Sequence, residues 1–109
     1  IFSMERVLVP TGLILDIPEG YSVRLHSRSG LVYNYGLYLT NCEGIIDWDY
    51  VDPVFIIMTN ISQSPKTINN GDRICQGELV EKIYHGFKHI KKPPTQKTDR
   101  DGGFGSTGT

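Results

Sequence analysis

The chain contains no alanine and twelve isoleucines, alongside many valines, threonines and tyrosines. Alanine is the strongest helix former, whereas β-branched and aromatic side chains lose rotamer freedom against a helical turn and pack well on a pleated surface. A chain built this way is expected to be all-β. Its apolar residues come in short runs punctuated by glycine and proline, which suits a sandwich or barrel rather than alternating strands and helices, and no helix is needed anywhere. At 109 residues the chain is one domain with a modest core, and a core shared between copies fits that size.

In chain order, Val7-Leu8-Val9 reads as a strand running into the Pro10-Thr11-Gly12 turn. Residues 13–17 and 21–25 read as a β-hairpin joined by Pro18-Glu19-Gly20, with proline fixing φ and glycine freeing it. Residues 36–41 form a strand leading into the stretch Asn41-Cys42-Glu43-Gly44-Ile45-Ile46-Asp47-Trp48-Asp49-Tyr50, which is interrupted at its glycine and then resumes. Residues 54–60 are almost wholly apolar and are expected to be buried on both faces. Asn69-Asn70-Gly71-Asp72 is a turn of residues that tolerate positive φ, and residues 73–83 are the last strand. The β domain is expected to span residues 1–90. Residues 91–109, stiff and basic at Lys91-Lys92-Pro93-Pro94 and glycine-rich at the end, are expected to form a flexible tail.

With 11 basic against 12 acidic residues, the net charge of −1 gives no general attraction to nucleic acid, and no apolar run approaches the length of a membrane span. The expectation is a soluble protein of the cytoplasm or another intracellular space, which for a viral gene means the host cytoplasm or the virion. Cys42 and Cys75 have neither disulfide-framework nor metal-ligand spacing and are expected to be reduced, partly buried thiols.

Three stretches offer chemistry. Strand alternation would send Asp47 and Asp49 to one face and Ile46 and Trp48 to the other, which is either a hairpin with two solvated aspartates or a polar site mounted on a β-scaffold. Arg28-Ser29-Gly30 places a guanidinium and a hydroxyl beside a glycine whose backbone N–H can approach an anion, and it is equally a solvated turn. The tail ends in Gly102-Gly103-Phe104-Gly105-Ser106-Thr107-Gly108, either a glycine-serine end or a phosphate-gripping lid.

Taken together, four segments resemble the trimeric dUTP pyrophosphatase (dUTPase) family: Arg28-Ser29-Gly30-Leu31; Asn41 with Gly44-Ile45-Ile46-Asp47-Trp48-Asp49-Tyr50; Gly71-Asp72-Arg73-Ile74-Cys75-Gln76; and Gly103-Phe104-Gly105-Ser106-Thr107-Gly108. They occur in the family's order. The resemblance implies a β-jelly roll assembled as a homotrimer, with each active site drawn from three chains. It implies hydrolysis of dUTP to dUMP and pyrophosphate, which limits uracil in DNA and supplies dUMP for dTMP synthesis. Asp47 resembles the carboxylate that orients and deprotonates the water attacking the α-phosphorus. Asn41 and the main-chain groups around Gly44 and Ile46 match the uracil edge, and Tyr50 the ring under the deoxyribose that excludes a 2′-hydroxyl. Arg28, Ser29, Gly30 and Gln76 match the phosphate contacts, with Ser29 near the leaving oxygen. In the tail, Phe104 matches the lid that stacks on uracil, and Arg100, Gly105, Ser106 and Thr107 the grip on the γ-phosphate. Asp72 and Arg73 are expected to form a structural ion pair and turn, and Trp48 and Cys75 to be packing. Magnesium is the implied cofactor, held through substrate phosphates and water rather than by side chains.

The sequence departs from the family in three places. The family's first motif, an Ala-Gly-x-Asp-Leu-like strand, has no counterpart, so the expectation is an N-terminal truncation or a metal held by phosphates alone. Val51-Asp52 stands where the family usually has Arg-Gly, which implies a shifted loop without its positive charge. Arg100 lies four rather than five residues before Phe104. Two other readings compete: a non-catalytic jelly roll that senses nucleotide or binds a partner, and the related dCTP deaminase. The deaminase needs a glutamate where this chain has Ile57, which cannot move a proton.

Overall fold

The computed structural model of the chain describes residues 1–104. Its elements are β1 (Arg6–Pro10), β2 (Tyr21–Ser27), α1 (Ser29–Tyr35), β3 (Leu37–Leu39), β4 (Glu43–Asp47), β5 (Phe55–Asn60) and β6 (Cys75–Glu81). The strands form two three-stranded antiparallel sheets, ordered β1-β5-β3 and β4-β2-β6. Every successive strand crosses to the other sheet, so no two strands adjacent in sequence pair with each other. This is a β-jelly roll, as the family resemblance implies.

The core lies between the sheets. Leu37 and Leu39 of β3 and Ile56 and Met58 of β5 meet Ile46 of β4, with Ile17 and Val54 from the connecting segments, while Val23 and Leu25 of β2 pack against this cluster. On β4 the alternation is strict: Gly44 and Ile46 point inward, and Glu43, Ile45 and Asp47 point out. Gly44 is required by its neighbour. It pairs with Leu25, and a Cβ at position 44 would lie 3.1 Å from the Leu25 Cβ. Asn60, fully buried, closes the far end of β5. Its amide donates to the carbonyls of Ile1 and Ser64, both at 2.9 Å, and its Oδ1 accepts from the Ser62 N–H and hydroxyl.

Several sequence expectations are corrected. The hairpin of residues 13–17 with 21–25 does not form. Segment 13–17 is not a strand, and β2 pairs instead with β4 and β6, so both of its hydrogen-bonding edges are taken by strands distant in sequence. The Pro18-Glu19-Gly20 turn survives, with Gly20 at φ 88° and Tyr21 N–H donating to the Pro18 carbonyl. A helix is present after all: α1 starts after Arg28 and stops at Gly36, which takes the left-handed φ of 73° that a C-cap favours. β4 runs through Gly44 without interruption and ends at Asp47, so Trp48 and Asp49 lie in a turn rather than on alternate strand faces. β5 is fully buried on the face of Ile56, Met58 and Asn60, while its other face passes from Phe55, 49% exposed, through half-buried Ile57 to buried Thr59. The strands around residues 36–41 and 73–83 are shorter than read. From residue 82 to residue 104 there is neither helix nor strand, and every residue is exposed.

Candidate active site

Asp47 ends β4 on its outer face, and the chain then turns sharply, closed by the Tyr50 N–H donating to the Asp47 carbonyl at 3.1 Å. The Tyr50 hydroxyl donates to the Pro53 carbonyl at 2.9 Å, which ties the ring across the Val51-Asp52 turn. Asp47, Asp49 and Tyr50 line a cavity of about 300 Å³ floored by Ile45, Ile46, Val54 and Phe55. A smaller hollow of about 100 Å³ adjoins it, sharing Ile45, Ile46 and Phe55, and is lined further by Asn41, Gly44 and Leu25. Asn41 sits in a tight reversal between β3 and β4, where Cys42 takes a φ of 64° and its N–H donates to the Leu39 carbonyl. The central stretch therefore brings Asn41, Gly44, Ile46, Asp47 and Tyr50 to two contiguous hollows.

Arg28, Ser29, Gly30 and Gln76 lie elsewhere. Arg28 is the extended N-cap of α1, and its guanidinium Nη1 donates to the Arg73 carbonyl at 2.9 Å, fastening the start of the helix to the turn before β6. Ser29 and Gly30, the first residues of α1, are exposed, and so is Gln76 on β6. Arg28 and Gln76 line a cavity of about 540 Å³ with Gly71, Asp72 and Arg73, and it shares no residue with the hollows at Asp47 and Asn41. Pairing register gives the separation. Asp47 faces Ser22 on one edge of β2, while Gln76 faces His26 on the other. Four residues along β2 and two inter-strand spacings put Asp47 and Gln76 roughly 16 Å apart, taking ~3.3 Å per residue and ~4.8 Å per strand.

The other expected residues fall as follows. Arg100 in the tail donates from Nε to the Gly102 carbonyl at 3.0 Å, and Phe104 is fully exposed. Gly105, Ser106 and Thr107 lie outside the described residues. Asp72 does not pair with Arg73; its carboxylate accepts the Asn69 N–H at 2.7 Å and closes the Gly71 turn, where φ reaches 90°. Trp48 is not core packing, since 41% of it is exposed, and Cys42 is exposed rather than partly buried. Cys75 is half-buried, and that burial pushes its thiol above the ordinary value. Glu43 stands 3.5 Å from Arg24 and 3.9 Å from His26 on the outer face of the β4-β2-β6 sheet. Sequence reasoning missed the link from Arg28 to the Arg73 carbonyl, because a side-chain bond to a backbone 45 residues away leaves no local trace. It also passed over Ser22, which is buried with its hydroxyl unpaired.

The model of the dUTPase family matches residues 1–108. Among curated proteins, the deoxyuridine 5′-triphosphate nucleotidohydrolase of Finegoldia magna is 43% identical over 106 residues, covering 96% of this chain and 73% of its own length. Among solved structures, the dUTPase of Streptococcus mutans superposes with a TM-score of 0.74 at 27% identity, covering 80% of this chain and 73% of that one. A variant of the Staphylococcus bacteriophage 80alpha dUTPase, solved with dUpNHpp, reaches a TM-score of 0.77 at 23% identity over 100% of this chain and 79% of its own.

Proposed function

The chain belongs to the dUTPase family, and from that premise we propose that it hydrolyses dUTP to dUMP and pyrophosphate. The observation that carries the reading is the pairing of two adjoining hollows, one presenting Asn41 and the other Asp47 and Tyr50. Uracil enters the smaller hollow against the Asn41 amide and the main chain around Gly44 and Ile46, which together offer both donors and acceptors to its edge. The deoxyribose rests on the Tyr50 ring, held in place through the Pro53 carbonyl, and the ring leaves no room for a 2′-hydroxyl. The α-phosphorus then lies beside Asp47, whose exposed carboxylate accepts a hydrogen bond from the attacking water, aligns it in line with the leaving pyrophosphate and takes its proton.

Arg28, Ser29 and Gln76 hold the phosphates, and they come from a neighbouring copy of the chain; the reading is supported by the cavity of Arg28 and Gln76 being separate from the hollows of Asp47 and Asn41. A homotrimer with sites between subunits satisfies this requirement, and the segment after residue 82 is free to close over such a site with Phe104 on uracil. Arg100, Gly105, Ser106 and Thr107 then meet the γ-phosphate. Among the described residues no three His, Cys, Asp or Glu side chains gather to hold a metal. Magnesium is assigned to the triphosphate and water, with no step routed through it. No helix among the described residues is long and apolar enough to cross a membrane. The reaction is placed in the cytoplasm or another intracellular space, where it removes dUTP before it enters DNA and yields dUMP.

Incubation of the purified protein with dUTP and magnesium tests the reading. Equimolar dUMP and pyrophosphate are expected. Binding of dUTP without pyrophosphate release would replace the enzyme by a nucleotide sensor, and ammonia released from dCTP would replace it by a deaminase.

A further inference from the structure

Ser22 is 2% exposed, and its hydroxyl is the one buried side-chain polar atom among the described residues without a hydrogen-bond partner. A buried hydroxyl left unpaired is unfavourable, and a serine with no further role at such a place is replaceable by alanine at no cost. Its surroundings identify the partner. Tyr21, Val23 and Leu25 of β2 pack on the core, so Ser22, Arg24 and His26 project to the opposite face of the sheet. On that face Ser22 stands directly between Val80 of β6 and Asp47 of β4. Val80 has no polar side-chain atom, and the Arg24 guanidinium is engaged with Glu43 at 3.5 Å. Asp47 is left. Side chains directly opposite on antiparallel strands have Cβ atoms about 4.5–5.5 Å apart, within reach of a hydroxyl-to-carboxylate hydrogen bond after one rotamer change.

We propose that Ser22 is a positioning residue for Asp47: its hydroxyl donates to the carboxylate oxygen turned away from the nucleotide, leaving the other oxygen to hold the attacking water. The idea rests on the function proposed above. β2 is the central strand of its sheet, so a donor mounted there is fixed on both sides, whereas Asp47 sits at a strand end beside a turn. A side chain at a strand end needs such a lateral bond to keep one orientation during attack.

Two measurements test it. Ser22→Ala should lower kcat for dUTP on the order of ten-fold with KM nearly unchanged, and Ser22→Thr, which keeps the hydroxyl, should restore most of it. A double-mutant cycle of Ser22→Ala with Asp47→Ala, read by urea unfolding, should show coupling of roughly three- to ten-fold in the unfolding constant. Full kcat in Ser22→Ala, or strictly additive stabilities, overturns the proposal. A wild-type protein inert towards dUTP overturns the function instead, and the unfolding cycle, which needs no substrate, still decides whether Ser22 holds Asp47.

Discussion

Gly44→Ala isolates one close contact that the fold depends on. The new methyl would stand 3.1 Å from the Leu25 Cβ and 3.2 Å from its Cδ1. The Cδ1 can swing aside, but the Cβ is fixed to the backbone of β2, so β4 must retreat by a few tenths of an ångström. Overpacking of this kind costs ~1–3 kcal/mol. Against it stands a gain of ~0.4–1 kcal/mol from the less flexible unfolded chain, since Gly44 has no positive φ to forfeit. The net loss is roughly 0.5–2 kcal/mol, which lowers a urea midpoint by roughly 0.5–2 M at a slope of ~1 kcal/mol/M. Gly77→Ala is the control. Gly77 faces the same Leu25 from β6, but its added methyl would find Leu25 Cδ2 and Val23 Cγ1 at 3.7 Å, an ordinary contact. It should be neutral or slightly stabilising. Urea unfolding followed by Trp48 fluorescence gives both midpoints, and a Gly44→Ala midpoint at or above that of Gly77→Ala would refute the packing argument.

Asp47→Asn keeps the shape of the site and removes the base, so turnover of dUTP should fall by ~10²–10⁴ with binding nearly intact; a variant keeping most of its kcat would shift the role to Asp49. Asn60→Ala strips partners from the Ile1 and Ser64 carbonyls and from Ser62 together, and should destabilise by ~2–4 kcal/mol in urea unfolding; a loss below ~1 kcal/mol would mean that water replaces the amide. Because burial raises the Cys75 thiol, the folded chain keeps its proton at a pH where the unfolded chain has released it. That contribution to stability is complete below the ordinary thiol range and fades as pH rises through the raised folded value. Cys75→Val should therefore show a shallower alkaline decline of the urea midpoint than wild type, and parallel declines would contradict this.

The strand content of the chain was legible because it is local. Val7 to Val9, Tyr21 to Leu25 and the apolar run after Val54 carry enough β-branched and aromatic side chains to read as strands, and Gly20 and Gly71 mark their turns by positive φ. Pairing was not legible. Residues 13–17 look like a partner for residues 21–25, yet two long-range strands occupy both edges of β2, and nothing within the window weighs a near neighbour against a distant one. Helix α1 was hidden for a different reason: seven residues hold barely two turns, too few to establish a helical period, and the left-handed cap at Gly36 was its one strong mark. At the candidate site, Asn41, Asp47 and Tyr50 could be proposed together because they are close in sequence. That Arg28 and Gln76 fall in a separate cavity depends on register across three strands, which no residue type announces.

In the proposed site Asp47 of one chain works with the phosphate-holding residues of another. Asp47→Asn and a Ser29→Ala/Gln76→Ala variant each spoil one half of the site, at exposed positions that leave the fold unchanged. Co-expressed in equal amounts, they form mixed trimers in which about a third of sites receive both intact halves, by the statistics of a closed ring. The measurement is dUTP turnover by the purified mixed trimers. Recovery to about a third of wild-type activity is expected where neither parent is active; mixed trimers no more active than their parents would contradict the shared site and place both halves of every site on a single chain.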